Sequence, residues 1–199
     1  MKKFTLFLVS FCVAACAGLP TSGEYLVRAK GYLQDGKPQQ ALKAYNKAIA
    51  LNPNLLEAYG ARGAAHFFAG NYALAQADFE LILRNDPYQA DAYTALGSAL
   101  AAQGEYEKAL EMMNIAIALK PSRPENFTSR AGVYFMLGRY EEALADYSAV
   151  LAYYPAADVY ESRAAVYEKM GRTQEAQQDL DAIKTKPMPP SLAVYNAGK

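Results

Sequence analysis

The sequence predicts an all-α protein made of five copies of one helix–turn–helix unit, ten antiparallel helices in succession. Three observations carry that expectation. Pro53, Pro87, Pro121 and Pro155 recur every 34 residues. In blocks read from Ser22, position 15 is always glycine: Gly36, Gly70, Gly104, Gly138 and Gly171. Position 20 is always alanine: Ala41, Ala75, Ala109, Ala143 and Ala176. A self-similar period of this length marks stacked repeats rather than one closed core. The copies are expected at 22–55, 56–89, 90–123, 124–156 and 157–190, the fifth starting one residue early.

Each repeated residue has a physical reason. Glycine at position 15 permits the positive φ with which the first helix of a pair ends. Small residues at position 8 (Ala29, Gly63, Gly97, Ala131, Ala164) and alanine at position 20 let the two helices approach closely. The aromatics at position 4 (Tyr25, Tyr59, Tyr93, Phe127, Tyr160) fill the space around that contact. Proline near position 32 stops the second helix, because it has no N–H to donate. Ser122-Arg123-Pro124-Glu125 then reads as a capping box opening the fourth copy, with Asn54-Leu55-Leu56-Glu57 a close relative. Arg62, Arg130 and Arg163 at position 7 occur in copies that also carry Asp78, Asp146 and Asp179 at position 23, so an ion pair within each scaffold is expected. The first copy departs from that rule, with Arg28 opposite Ala44. Position 28 is apolar in four copies and Lys184 in the fifth, as the polar outer face of a last repeat requires. Residues 191–199 lack periodicity and are expected to be a flexible tail.

This set of positions resembles the tetratricopeptide repeat, over residues 22 to about 190. The resemblance implies a right-handed α-solenoid whose first helices line a concave, protein-binding groove through positions 2, 5, 9, 12 and 13. Carried over residue by residue, the candidate groove residues are Phe67, Phe68, Thr94, Ser98, Thr128, Phe135 and Met136. Phe67 and Phe135 equally suit packing onto a neighbouring repeat. The acidic ladder Glu57, Asp91, Glu125 and Asp158 at position 2 also suits the positive end of a helix dipole, with no ligand needed. Leu26, Ala61, Asp91 and Ala95 stand where the chaperone-binding subclass places its carboxylate clamp, so membership of that subclass is not expected.

The N-terminus reads as an address. Lys2 and Lys3 precede an apolar stretch of twelve residues, Phe4 to Ala15, which as a helix spans about 18 Å. That falls short of the roughly 30 Å hydrocarbon core and fits a secretory signal peptide over residues 1–15. Val13-Ala14-Ala15-Cys16 resembles the lipobox of bacterial lipoproteins, which implies lipidation at Cys16, cleavage before it and a short linker over 16–21. Ala17 in the following position implies the outer membrane. Ordinary signal cleavage after Ala15-Cys16-Ala17 also satisfies the sequence.

Composition excludes other classes. With 20 basic and 20 acidic residues, the chain lacks the charge of a nucleic-acid binder. Its two cysteines, Cys12 and Cys16, leave the body without a disulfide or a cysteine-ligated metal. His66 is the single histidine, and it takes a position occupied elsewhere by Tyr32, Leu100, Tyr134 and Tyr167, which favours packing over catalysis. No phosphate loop or nucleophile elbow is present. The expectation is a non-enzymatic scaffold, without cofactor, metal or small-molecule substrate. It is held to the periplasmic face of the outer membrane by lipid and binds a peptide or helix of another envelope protein. By resemblance it is similar to the tetratricopeptide lipoproteins of type IV or Tad pilus assembly. The alternatives are an adaptor for peptidoglycan-processing enzymes, a soluble periplasmic binding module, and an envelope hydrolase with a helical accessory domain.

Overall fold

The computed structural model describes residues 19–185 and residue 189. The expected signal peptide, Cys16 and the expected tail 191–199 lie outside the described residues. Among the described residues the chain forms ten helices and no strand: α1 (Ser22–Gln34), α2 (Pro38–Leu51), α3 (Leu56–Phe68), α4 (Tyr72–Asn85), α5 (Ala90–Ala102), α6 (Tyr106–Leu119), α7 (Pro124–Met136), α8 (Tyr140–Tyr153), α9 (Ala157–Lys169) and α10 (Thr173–Thr185). The chain divides into two compact units, one ending at Ala65 and the other beginning at His66 inside α3.

In the first unit α1 packs on α2. Ala29, Ala41, Ala48 and Ala58 are completely buried there, and Tyr45 fills the space that these small residues leave. The chain enters α1 through a reciprocal cap. The Glu24 N–H donates to Thr21 Oγ1 at 3.2 Å, and the Thr21 N–H donates to Glu24 Oε2 at 2.9 Å. Two otherwise orphaned helix-end donors are satisfied at once.

In the second unit α5 packs on α6, α7 on α8 and α9 on α10, and successive pairs stack through α6 with α7 and α8 with α9. The small positions permit the close approach. A Cβ at Gly97 would lie 3.1 Å from the Ala109 carbonyl oxygen and 3.0 Å from Met113 Cγ, so only glycine fits without a shift. Ala131, Ala143, Ala156 and Val166 are fully buried around Tyr147 in the pairs nearer the C-terminus.

All five position-15 glycines have positive φ, between 69° and 81°. The Glu105 N–H reaches back to the Leu100 carbonyl and the Gly104 N–H to Ala101, each at 3.0 Å, the hydrogen-bond pattern that closes a helix through a left-handed residue. The second helices end otherwise. The Asn52 N–H still bonds to Ala48, and Pro53 follows it and blocks continuation.

The capping boxes expected at the second and fourth helix pairs are corrected. Pro124 is the first residue of α7, which makes Arg123 the residue before the helix and moves Ser122 one position too far out. Arg123 makes no side-chain cap, and its guanidinium pairs with Asp91 and Glu125 instead. α3 begins at Leu56, so Asn54 stands two residues ahead of it, and its own N–H donates to Asn52 Oδ1 at 3.1 Å.

Candidate functional site

Several polar side chains on the helix pairs are committed to holding the scaffold. Arg130 donates from Nε and Nη2 to the two oxygens of Asp146 at 2.8 and 2.7 Å, and from Nη1 to Asn114 at 2.7 Å. Arg163 repeats the arrangement with Asp179 at 2.8 and 2.6 Å and Ser148 at 2.9 Å. The hydrogen-bonded carboxylate raises each guanidinium above its ordinary pKa, so both stay charged. Three of the four position-2 carboxylates are also ion-paired. Asp91 pairs with Arg123 and Lys120, Glu125 with Arg123, and Glu57 with Lys30 at 2.6 Å. Asn126, 1% exposed, donates to the carbonyls of Ala116 and Lys120 and accepts from Thr94 Oγ1 at 2.8 Å. Sequence reasoning missed that residue, which stands where the other copies carry Glu24, Ala58, Ala92 and Val159.

The candidate groove residues separate into two sets. Thr94 is turned toward Asn126, and Thr128 Oγ1 donates to the Glu125 carbonyl of its own helix at 3.1 Å. Phe67 is half-buried, 5.4 Å from the Tyr72 ring, and Phe135 is half-buried, 5.9 Å from the Tyr140 ring. Both phenylalanines therefore pack at position 12 against the tyrosine at position 17. Their neighbours at position 13 point outward: Phe68 is 86% exposed and Met136 62%.

The third copy carries Ala101 at position 12 and Tyr106 at position 17. The missing ring opens a recess of about 330 Å³ between α5, α6 and α7, lined by Ser98, Ala101, Ala102, Tyr106, Gly132 and Met136 among others. Ser98 and Met136 thus come together there, while the remaining five candidates do not line it. The recess is mostly apolar, and the Ser98 hydroxyl proton is spent on the Thr94 carbonyl at 3.0 Å. Comparison of positions 12 and 17 between copies is the sequence signal that would have found it. A larger cleft of about 510 Å³ lies at the edge where α6 turns into α7, among Pro121, Pro124, Phe127, Val150 and Tyr153, and no sequence pattern had marked it.

Among the described residues no group of three or more His, Cys, Asp or Glu could hold a metal, and no helix is long and apolar enough to cross a membrane. His66 is half-buried on α3.

Helix pairs joined by left-handed glycines, with variable side chains displayed on the first helices, define a repeat scaffold of the protein-binding class. The chain belongs to the tetratricopeptide repeat family: one family model matches residues 61–124 and 130–188, and a second matches 30–70. The fold is accordingly an all-α solenoid of these repeats, a family whose members are typically non-enzymatic binding scaffolds. A tetratricopeptide repeat protein of Parabacteroides merdae is 25% identical with a TM-score of 0.72, over 96% of this chain and 74% of that one. A thermophilic repeat protein of Thermus thermophilus is 23% identical with a TM-score of 0.71, over 89% and 98%. PilF of Pseudomonas aeruginosa is 22% identical with a TM-score of 0.71, over 84% and 78%. No curated protein matches the chain.

Proposed function

We propose that the chain is a lipid-anchored scaffold on the periplasmic face of the bacterial outer membrane, acylated at Cys16, which seats an apolar segment of a peptide or helix from an envelope or pilus assembly partner. The observation that carries the binding role is the recess over Tyr106. Copies two and four fill the same place with Phe67 and Phe135, so the fold tolerates an aromatic there and the third copy leaves room for one from outside. Exposed Met136 borders it and supplies an adaptable apolar contact. Placement at the membrane is supported by the lipobox-like Val13-Ala14-Ala15-Cys16.

Two experiments test the two halves separately. Ala101→Phe places in the third copy the ring that its neighbours already carry. The variant is expected to fold with an unchanged circular dichroism spectrum and to lose its partner in cellular crosslinking. Retained crosslinking in the folded variant would move the site away from this recess. Cys16→Ser keeps Ala15 and Ala17 on either side of the substitution, a site for ordinary signal cleavage. It is expected to release the protein from the membrane fraction with loss of acyl mass. A serine variant that still pellets with membranes at high salt would end the lipoprotein reading.

A further inference from the structure

The arginine at position 7 shows which side of each helix pair meets the copy before it. Arg62 donates to Asn46 at 2.6 Å, Arg130 to Asn114 and Arg163 to Ser148, each acceptor belonging to the preceding second helix. Among the described residues no helix covers that side of the first copy. Arg28 has Ala44 where the aspartate would stand, and it lies over the Tyr25 ring at 5.6 Å. Lys47 lies over the same ring at 5.4 Å, and Lys43 is exposed beside them. These three cations, with Tyr25 and Tyr32, line a cleft of about 270 Å³ that no carboxylate among the described residues lines. The nearby acids are engaged elsewhere, Glu24 in the Thr21 cap and Asp35 with Lys37 at 3.0 Å.

The chain enters the fold at this same face. Leu19 and Pro20 form an adjoining recess with Tyr25, Lys47 and Leu51, and Leu19 and Leu51 remain 73% and 57% exposed. Cys16 lies three residues before Leu19, a reach of about 10 Å even when fully extended. Acyl chains on Cys16 would therefore hold the cationic face against the membrane surface.

We propose that the open face of the first copy, formed by Arg28, Lys43 and Lys47, docks onto phosphate-bearing anionic lipid headgroups, with Leu19 and Leu51 entering between them. The proposal rests on the lipid-anchor reading above. Charge complementarity selects this occupant: a second copy docking through the same face would bring three like charges against these three, whereas an anionic leaflet supplies the counter-charges that Ala44 withholds. A basic patch beside an acyl anchor also strengthens membrane attachment in a way that neither achieves alone.

The test uses the full chain carrying Cys16→Ser, so that binding through the face is read without the anchor. Co-sedimentation is measured with vesicles of phosphatidylcholine alone and of phosphatidylcholine and phosphatidylglycerol in equal parts. The expected result is binding to the anionic vesicles only, abolished by high salt. Each cation removed should weaken binding about fivefold, so that R28Q/K43Q/K47Q loses about a hundredfold. Lys43→Gln alone, at an exposed position without a packing role, should lose about fivefold and guards against misfolding of the triple variant. Equal binding to both vesicle types, or no effect of the triple variant on anionic vesicles, overturns the proposal. So does a dimer in light scattering that the triple variant dissociates, which would give the face to a second copy. The anchor reading is scored apart, by intact mass of the wild-type protein extracted from membranes: no acyl mass at Cys16 sinks that reading and leaves the vesicle measurement, made on unacylated chain, unaffected.

Discussion

Arg130 and Asp146 illustrate what a single repeated residue contributes. The pair is bidentate, Asp146 is 6% exposed, and the same guanidinium faces Phe127 and Tyr134 at 5.7 Å each. Removing the acid leaves a largely covered cation without its counter-charge, so Asp146→Ala is expected to cost about 3 kcal/mol in urea denaturation. The double variant Arg130→Met/Asp146→Leu should recover most of that loss, because replacing both partners removes the uncompensated charge. Two glycines of the same copy make a second comparison. Gly138 has φ +71°, and a Cβ there would meet nothing within 4 Å, so Gly138→Ala is expected to cost about 1–2 kcal/mol purely through the left-handed backbone. Gly132 lies inside α7 with equally open surroundings, and Gly132→Ala should instead gain about 0.8–1 kcal/mol. Melting curves that moved in the same direction for both would refute this assignment of their roles.

At the scale of the helices, much was legible because period and punctuation agree. Glycine, alanine and proline at fixed positions place the turns and the close contacts, and each corresponds to something steric that one residue type can satisfy. The contact of α5 with α6 is an example: Ala109 is completely buried against Gly97, and Ala109→Leu is expected to lower stability by about 1–3 kcal/mol in thermal denaturation. The ends of helices were less legible. Ser122 and Glu125 have the spacing of a capping box, but Pro124 starts the helix one residue later than that box demands, and Arg123 is drawn to Asp91 and Glu125. The groove was legible as a set of positions and not as a set of side chains. Phe135 and Met136 are adjacent, and a rotation of about 100° separates a ring packed on Tyr140 from a thioether facing solvent. Thr94 and Thr128 look available in sequence, yet their hydroxyls are turned to Asn126 and to the backbone. An empty place leaves no residue to read, and the recess is visible only where Ala101 is compared with Phe67 and Phe135.

For the molecule as a whole, the buried Tyr45 and Tyr147 couple stability to pH. Burial pushes the phenol of Tyr45 in the first unit and Tyr147 in the second above the ordinary tyrosine value. A group with a raised folded pKa contributes stability below its unfolded pKa, about 10, and that contribution is lost as pH rises through the folded value. Stability should therefore fall above about pH 10, with Tyr45 and Tyr147 ionising late in an ultraviolet titration. Tyr45→Phe and Tyr147→Phe should each remove one late-titrating group, and a titration left unchanged by both would contradict this account. The arginine link between successive pairs bears on how such a chain lengthens over generations. Because Arg130 and Arg163 each reach back to a polar side chain in the second helix before them, a tandem duplication of the fourth copy creates a new junction already furnished with donor and acceptor: Arg130 of the inserted unit would meet Ser148 as Arg163 does now. The first copy carries the same donor and acceptor in Arg28 and Asn46 but Ala44 in place of the aspartate, so a unit inherited from the head of the array would make that junction with an arginine its own helix pair does not hold.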